Sequence, residues 1–163
     1  MKKLFLLLAA AICVASSASA QTPIKYQGEV DLGCSLGVGL LSSGRVNVHT
    51  IQGIKVGDYF STGVGFGADY YISGQDMTIP LFLNFKGYIP TKSKVTPYAS
   101  LDLGTGIGVA GVFKKETGLM MTPAVGVKIG MFKVQAGYNL QQLTESAVSL
   151  NFHALQIKAG VVF

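Results

Sequence analysis

From Val30 to Leu40 every even-numbered position is apolar or Cys (Val30, Leu32, Cys34, Leu36, Val38, Leu40), while Glu29, Asp31, Gly33, Ser35, Gly37 and Gly39 hold the odd ones. Successive side chains of an extended strand point to opposite faces, so this period of two predicts a strand over Ile24–Leu40 with one apolar face. The alternation returns over Phe60–Ile72, then through Ile79–Ile89, Ala99–Val109, Leu119–Ile129, Phe132–Leu140 and Leu155–Phe163. Arg45–Val56 is the weakest repeat. Val46, Val48, Ile54 and Val56 keep the parity, but Thr50 and Gln52 fall on the apolar face, which calls for a bulge or a local protein contact near Ile51. Turn-forming pieces separate the strands: Ser42–Gly44, Gly57–Asp58, Ser73–Asp76, Pro90–Pro97, Lys114–Gly118, Gly130–Met131 and Leu143–Ser149. Seven breaks and eight strands predict an all-β, eight-stranded antiparallel up-and-down barrel with both mature ends on one side. A helical turn over Leu140–Ser149 is the alternative there, since Leu140, Leu143 and Ala147 share a helix face.

The front of the chain has a different pattern. Met1-Lys2-Lys3 is a basic head, Leu4–Val14 is apolar, and small residues stand at Ala18 and Ala20. This is the layout of a secretory signal peptide over residues 1–20, cut before Gln21, with residues 21–163 as the barrel domain. The apolar run falls short of the roughly 20 residues a spanning helix requires. Cys13 follows Ile12 rather than the small residue that lipoprotein processing takes, and it leaves with the leader. Cys34 then has no partner for an internal disulfide and reads as a small apolar residue. The formal charge is +5, of which Lys2 and Lys3 supply two, too little to imply a nucleic-acid partner.

Alternation alone does not say which face is inside. A soluble lipocalin-like barrel would turn the apolar face inward. Glycine argues for the membrane arrangement. The chain has 21 Gly, and within the strands most take the polar parity, among them Gly33, Gly37, Gly63, Gly65, Gly67, Gly104, Gly106, Gly126 and Gly160. A narrow eight-stranded barrel crowds its interior, whereas a solvated outer wall has no use for so many. Tyr26, Phe60, Phe132 and Phe163 would then form an aromatic girdle at the periplasmic rim. The inward set holds Glu29, Asp31, Asp69 and Asp102 against Arg45, Lys55, Lys86, Lys128 and Lys158. Hairpin geometry sets Asp31 opposite Lys55 and Lys86 opposite Asp102, and closure brings Lys158 towards Glu29. Buried charges are costly unless paired, so the expected interior is closed and charge-paired. On this reading Asp102→Ala costs more stability than Asp76→Ala, a turn residue.

The final stretch, with Leu155, Ile157, Val161 and Phe163 on one face, resembles the C-terminal signal of Gram-negative outer-membrane barrels, which the outer-membrane barrel assembly machinery reads. Ile79-Pro-Leu-Phe-Leu-Asn-Phe-Lys-Gly-Tyr-Ile89 resembles the fourth-strand segment of small barrels related to OmpX and the OmpA membrane domain. The resemblance implies insertion in the bacterial outer membrane, with roles in envelope integrity, adhesion or host interaction. The short segments Ser42–Gly44 and Lys114–Gly118 depart from that family's long loops. With Phe163 read as the end, no wall-binding module is expected.

The remaining motifs point away from chemistry. Gly106-Ile-Gly-Val-Ala-Gly111 spells a dinucleotide fingerprint, but strand periodicity runs through it where a helix is required. His49 and His153 are the only histidines and make no metal cluster with Cys34. His153 lies on the lipid-facing parity, the one place for a lipid A-modifying enzyme with a nearby Ser. The expectation is a monomeric, non-enzymatic barrel without cofactor, its partners being outer-membrane lipid and the assembly machinery. A narrow channel, a lipid A-modifying enzyme and a soluble lipocalin-like binding barrel are the rivals.

Overall fold

The computed structural model describes residues 23–38, 44–72, 76–110, 117–145 and 148–163, without the side chains of 110, 143–145 and 148–152. The expected leader over residues 1–20 and much of the four loops opposite the chain ends lie outside the described residues, including most of the Ser42–Gly44, Ser73–Asp76 and Lys114–Gly118 turns. Eight strands follow in order: β1 (Ile24–Gly37), β2 (Gly44–Val56), β3 (Phe60–Tyr71), β4 (Asp76–Tyr88), β5 (Val95–Ala110), β6 (Thr117–Ile129), β7 (Phe132–Glu145) and β8 (Val148–Val162). Each pairs antiparallel with the next, and β8 closes onto β1. Stepping across the ladder from Gln27 brings the path back to β1 at Gly37, so the strands are strongly inclined to the barrel axis. The tight turns at Gly57 and Gly130, with φ of 61° and 60°, use a backbone region that side chains disfavour.

The faces sort by parity. Leu32, Leu36, Leu119 and Phe132 are 61 to 71% exposed on the outer wall, while Asp31, Ser35, Thr122 and Lys133 are buried inside. An outer wall this apolar cannot face water, and lipid is the solvent that suits it. The lipocalin-like arrangement, with apolar residues lining a cavity, is therefore overturned.

Several boundaries differ from the sequence reading. β5 begins at Val95, so Pro97 is a strand residue opposite Val127 rather than part of a turn. Asp76 is not a turn residue either: it opens β4 and is 5% exposed, so it is no neutral control for Asp102. The helical turn over Leu140–Ser149 does not form. Leu143, Thr144 and Glu145 pair with Leu150, Ser149 and Val148, and the neighbouring strand takes up backbone groups that a helix would satisfy internally.

Nor does β2 bulge at Ile51, because its pairing with β1 and β3 runs unbroken through that residue. Thr50 and Gln52 stay on the outer wall, where a short chain of hydrogen bonds satisfies them. The Tyr26 hydroxyl donates to Gln52 Oε1, Gln52 Nε2 donates to Thr50 Oγ1 (2.8 Å), and Thr50 donates to the Glu29 carbonyl (3.0 Å). Of the two solutions the sequence offered, the local contact is the one in the structure.

Candidate functional site

The interior of the barrel concentrates the polar chemistry of the chain. Four carboxylates (Glu29, Asp31, Asp69, Asp102) and four cations (Arg45, Lys86, Lys133, Lys158) point inward at 4% exposure or less. They fall into two networks at different heights.

The first lies towards the end that carries Phe163. Glu29 is its hub. It accepts from Lys86 Nζ (2.7 Å), from Lys133 Nζ and from Gln27 Nε2 (2.7 Å). Lys133 also donates to Asp31 (2.9 Å), and Lys86 to Asn84 Oδ1 (2.8 Å). Asn84 in turn donates to Asp102, whose other oxygen lies 3.6 Å from Lys158 Nζ. Below the hub, Gln27 and Ser61 donate to the Tyr88 hydroxyl, Tyr98 donates to Gln135, and the two Tyr rings meet at 5.7 Å. The void between Gln27, Glu29, Ser61 and Asn84 has no room for a water molecule.

The second network lies towards the opposite end. Asp69 receives Asn47 Nδ2 (2.7 Å), His49 Nε2 (2.7 Å) and, more loosely, Arg45 (3.5 Å). Arg45 spans the lumen to Asn139 (3.0 Å) and Gln141 (3.1 Å) on β7, with its guanidinium over the Tyr71 ring.

Between the two networks lies an apolar layer of Ile51, Phe82 and Met120, each 5% exposed or less. All three keep the inward parity of their strands and put large apolar side chains on a face that is otherwise mostly polar. The Phe82 ring meets the His49 ring at a tilt, with centroids 5.4 Å apart, and its centroid lies 5.9 Å from Lys158 Nζ, so it reaches both networks. Gly65 makes space for it: a Cβ there would lie 2.3 Å from the ring. Close packing of this kind fixes the Phe82 rotamer.

The structure distributes the residues singled out in the sequence as follows. Glu29, Asp31, Asp69, Lys86, Asp102 and Lys158 are inside, but the expected pairs are wrong. Asp31 stands opposite His49, and Lys55 opposite Lys25, because the ladder sets Leu36 opposite Gly44, whereas a Ser42–Gly44 turn would set Leu41 opposite Arg45. Lys86 stands opposite Ser100 and Asn84 opposite Asp102, a slip of one pair along the same face. Lys158 stands opposite Gly33 and reaches Asp102 rather than Glu29. Lys55 and Lys128 lie at the rim, half-buried, and outside the network. Lys133 and His49, which share the inward parity, are interior members that sequence reasoning missed.

The outer features lie where the strands end. Tyr26, Phe60, Phe132 and Phe163 are exposed around one rim, joined by Tyr59. Phe163 is held on β1 by reciprocal backbone hydrogen bonds with Gly28 (2.8 and 2.9 Å). Leu155 and Ile157 face outward further along β8, opposite Leu36 and Cys34, and Val161 is partly covered. His153 is exposed on the outer wall, and its imidazole lies 5.8 Å from the Tyr138 ring. Cys34 is exposed on that wall too. The described residues contain no cluster of His, Cys, Asp and Glu that would hold a metal ion.

A closed eight-stranded barrel with an apolar outer wall, an aromatic rim and a salt-bridged interior is an outer-membrane β-barrel. Solved structures agree on the fold. Neisserial surface protein A (NspA) superposes with a TM-score of 0.66 at 17% identity, covering 86% of this chain and 97% of that one. The N-terminal β-barrel domain of Pseudomonas aeruginosa OprF gives 0.58 at 12% identity, covering 86% and 100%. The outer membrane enzyme PagL gives 0.50 at 9% identity, covering 80% and 98%. No protein-family model and no curated protein sequence matches the chain.

Proposed function

We propose that this protein is a closed structural barrel of the outer membrane, serving the envelope or its surface rather than conducting solutes. One observation carries the reading: the lumen is filled by two salt-bridged networks and the Ile51–Phe82–Met120 layer between them. An ion entering this interior would have to displace paired charges and then cross an apolar constriction. The name of Neisserial surface protein A suits a surface role. PagL, an outer membrane enzyme, shares the fold; here the His153 imidazole lies 5.8 Å from the Tyr138 ring, and no side chain among the described residues hydrogen-bonds to it.

On the same reading, Phe163 and its outward neighbours Leu155, Ile157 and Val161 are what the assembly machinery recognises, and the folded barrel is monomeric in lipid. Planar-bilayer recording tests the central point. The wild type should give no long-lived open steps, while a lumen variant such as Phe82→Ala should give some. Sustained steps from the wild type would sink the closed-barrel reading. Deleting Phe163 should abolish the band in outer membranes that shifts on boiling; an undiminished band would remove its role in assembly.

A further inference from the structure

Charge is not balanced everywhere in the barrel. At the end carrying Phe163, Lys25, Lys55, Lys92, Lys94 and Lys128 gather with one carboxylate side chain among the described residues, Asp58. Asp58 is 82% exposed and stands 3.9 Å from Lys55 Nζ, a loose contact in water. Lys25, Lys55 and Lys128 have the inward parity of their strands, so they ring the mouth instead of lying along the lipid wall.

The register makes this costly. Lys25 stands directly across from Lys55, and Lys128 directly across from Lys133. Like charges opposite one another on adjacent strands destabilise a sheet. Deeper in, Lys133 is neutralised by Glu29 and Asp31, and Lys86 by Glu29, so the interior carboxylates are already engaged. Lys55 extends over the Tyr88 ring at 5.1 Å, which floors the mouth. The result is a shallow cationic cup, open to the periplasm and walled by lysines that lack matching carboxylates.

We infer that this mouth binds a phosphate-bearing anion, held between Lys25, Lys55 and Lys128 with Lys92 and Lys94 at its edge. Several lysines that share the inward parity at one end of the barrel favour a compact, multiply charged group, and phosphate can offer each of them an oxygen. The mouth lies at the height of the rim aromatics Tyr26, Phe132 and Phe163, where phospholipid headgroups lie. A lipid headgroup and a soluble phosphate compound therefore carry the same chemistry to it, and the test separates them.

The folded mature barrel in neutral detergent micelles would be titrated calorimetrically with tripolyphosphate. A parallel sample would be exchanged against phosphatidylglycerol and phosphatidylcholine and read by native mass spectrometry. Lys25→Gln/Lys55→Gln/Lys128→Gln should lose at least tenfold in tripolyphosphate affinity, in phosphatidylglycerol retention, or in both, and whichever is lost names the source. Lys128→Gln alone, which removes a half-buried rim charge facing Lys133 and is expected to fold normally, should lose several-fold. Weakening with added salt should accompany binding. No binding in either arm, or binding untouched in the variants, overturns the inference. Equal affinity for polyglutamate would also overturn it, since the cup would then be reading charge on an acidic polypeptide rather than phosphate.

Discussion

Glu29→Gln is the substitution that most directly tests the interior network. Glu29 holds two ammonium groups, Lys86 and Lys133, at 1% exposure. The amide keeps the shape and can still accept a hydrogen bond, but it removes the charge. Lys133 retains Asp31 at 2.9 Å, whereas Lys86 is left with the neutral Asn84 at 2.8 Å. Breaking a buried pair by removing one partner costs about 3–5 kcal/mol, mostly because the other charge stays buried and uncompensated. Asn84 offsets part of that, so about 3 kcal/mol is expected. With a urea dependence of about 1–3 kcal/mol per molar, the midpoint should fall by about 1–3 M.

The assay is reversible urea unfolding of the barrel in lipid vesicles, followed by circular dichroism and by gel mobility with and without boiling. The double variant Glu29→Gln/Lys86→Met carries the sharper information. It removes the stranded ammonium, so it should recover about half the loss and show a coupling energy of about 1–2 kcal/mol. A loss below about 1 kcal/mol in the single variant would refute the reasoning, as would strict additivity in the double variant. Glu29 would then be solvated or paired elsewhere.

Two further expectations rest on other parts of the barrel. Phe82→Ala should cost about 3–5 kcal/mol in the same unfolding assay, since the ring fills a layer bounded by Ile51, Met120 and the Gly65 backbone; a cost under about 1 kcal/mol would mean that the layer is not packed. Cys34 faces lipid between Val46 and Ile157, so in intact vesicles an apolar maleimide should label it and a membrane-impermeant charged one should not. The reverse pattern would mean that this wall meets water.

Much of the barrel was legible in the chain. Alternation at Val30–Leu40 and Phe60–Ile72 identified strands, and the placement of Gly33, Gly65 and Gly160 opposite the apolar residues identified the inner face. Parity also assigned Glu29, Asp31, Asp69, Lys86, Asp102 and Lys158 to that face. Lys133 carries the same signal, but it stands between Phe132 and Val134 on the opposite parity, which dominate the apolar pattern of that strand. The apolar layer was harder to read. Ile51, Phe82 and Met120 look like exceptions to the polar inner face until three strands bring them to one height.

What the sequence determined by itself is periodicity, and periodicity fixes face: a side chain on a strand has two directions to point, and every second residue shares one. The tertiary structure decided the partners. Sliding a strand by two residues preserves every face and replaces every neighbour, so the pattern that placed Lys86 inside could not choose between Asp102 and Glu29. That choice was made by the lengths of the connections and by the stagger with which β8 meets β1, quantities that belong to the closed barrel as a whole.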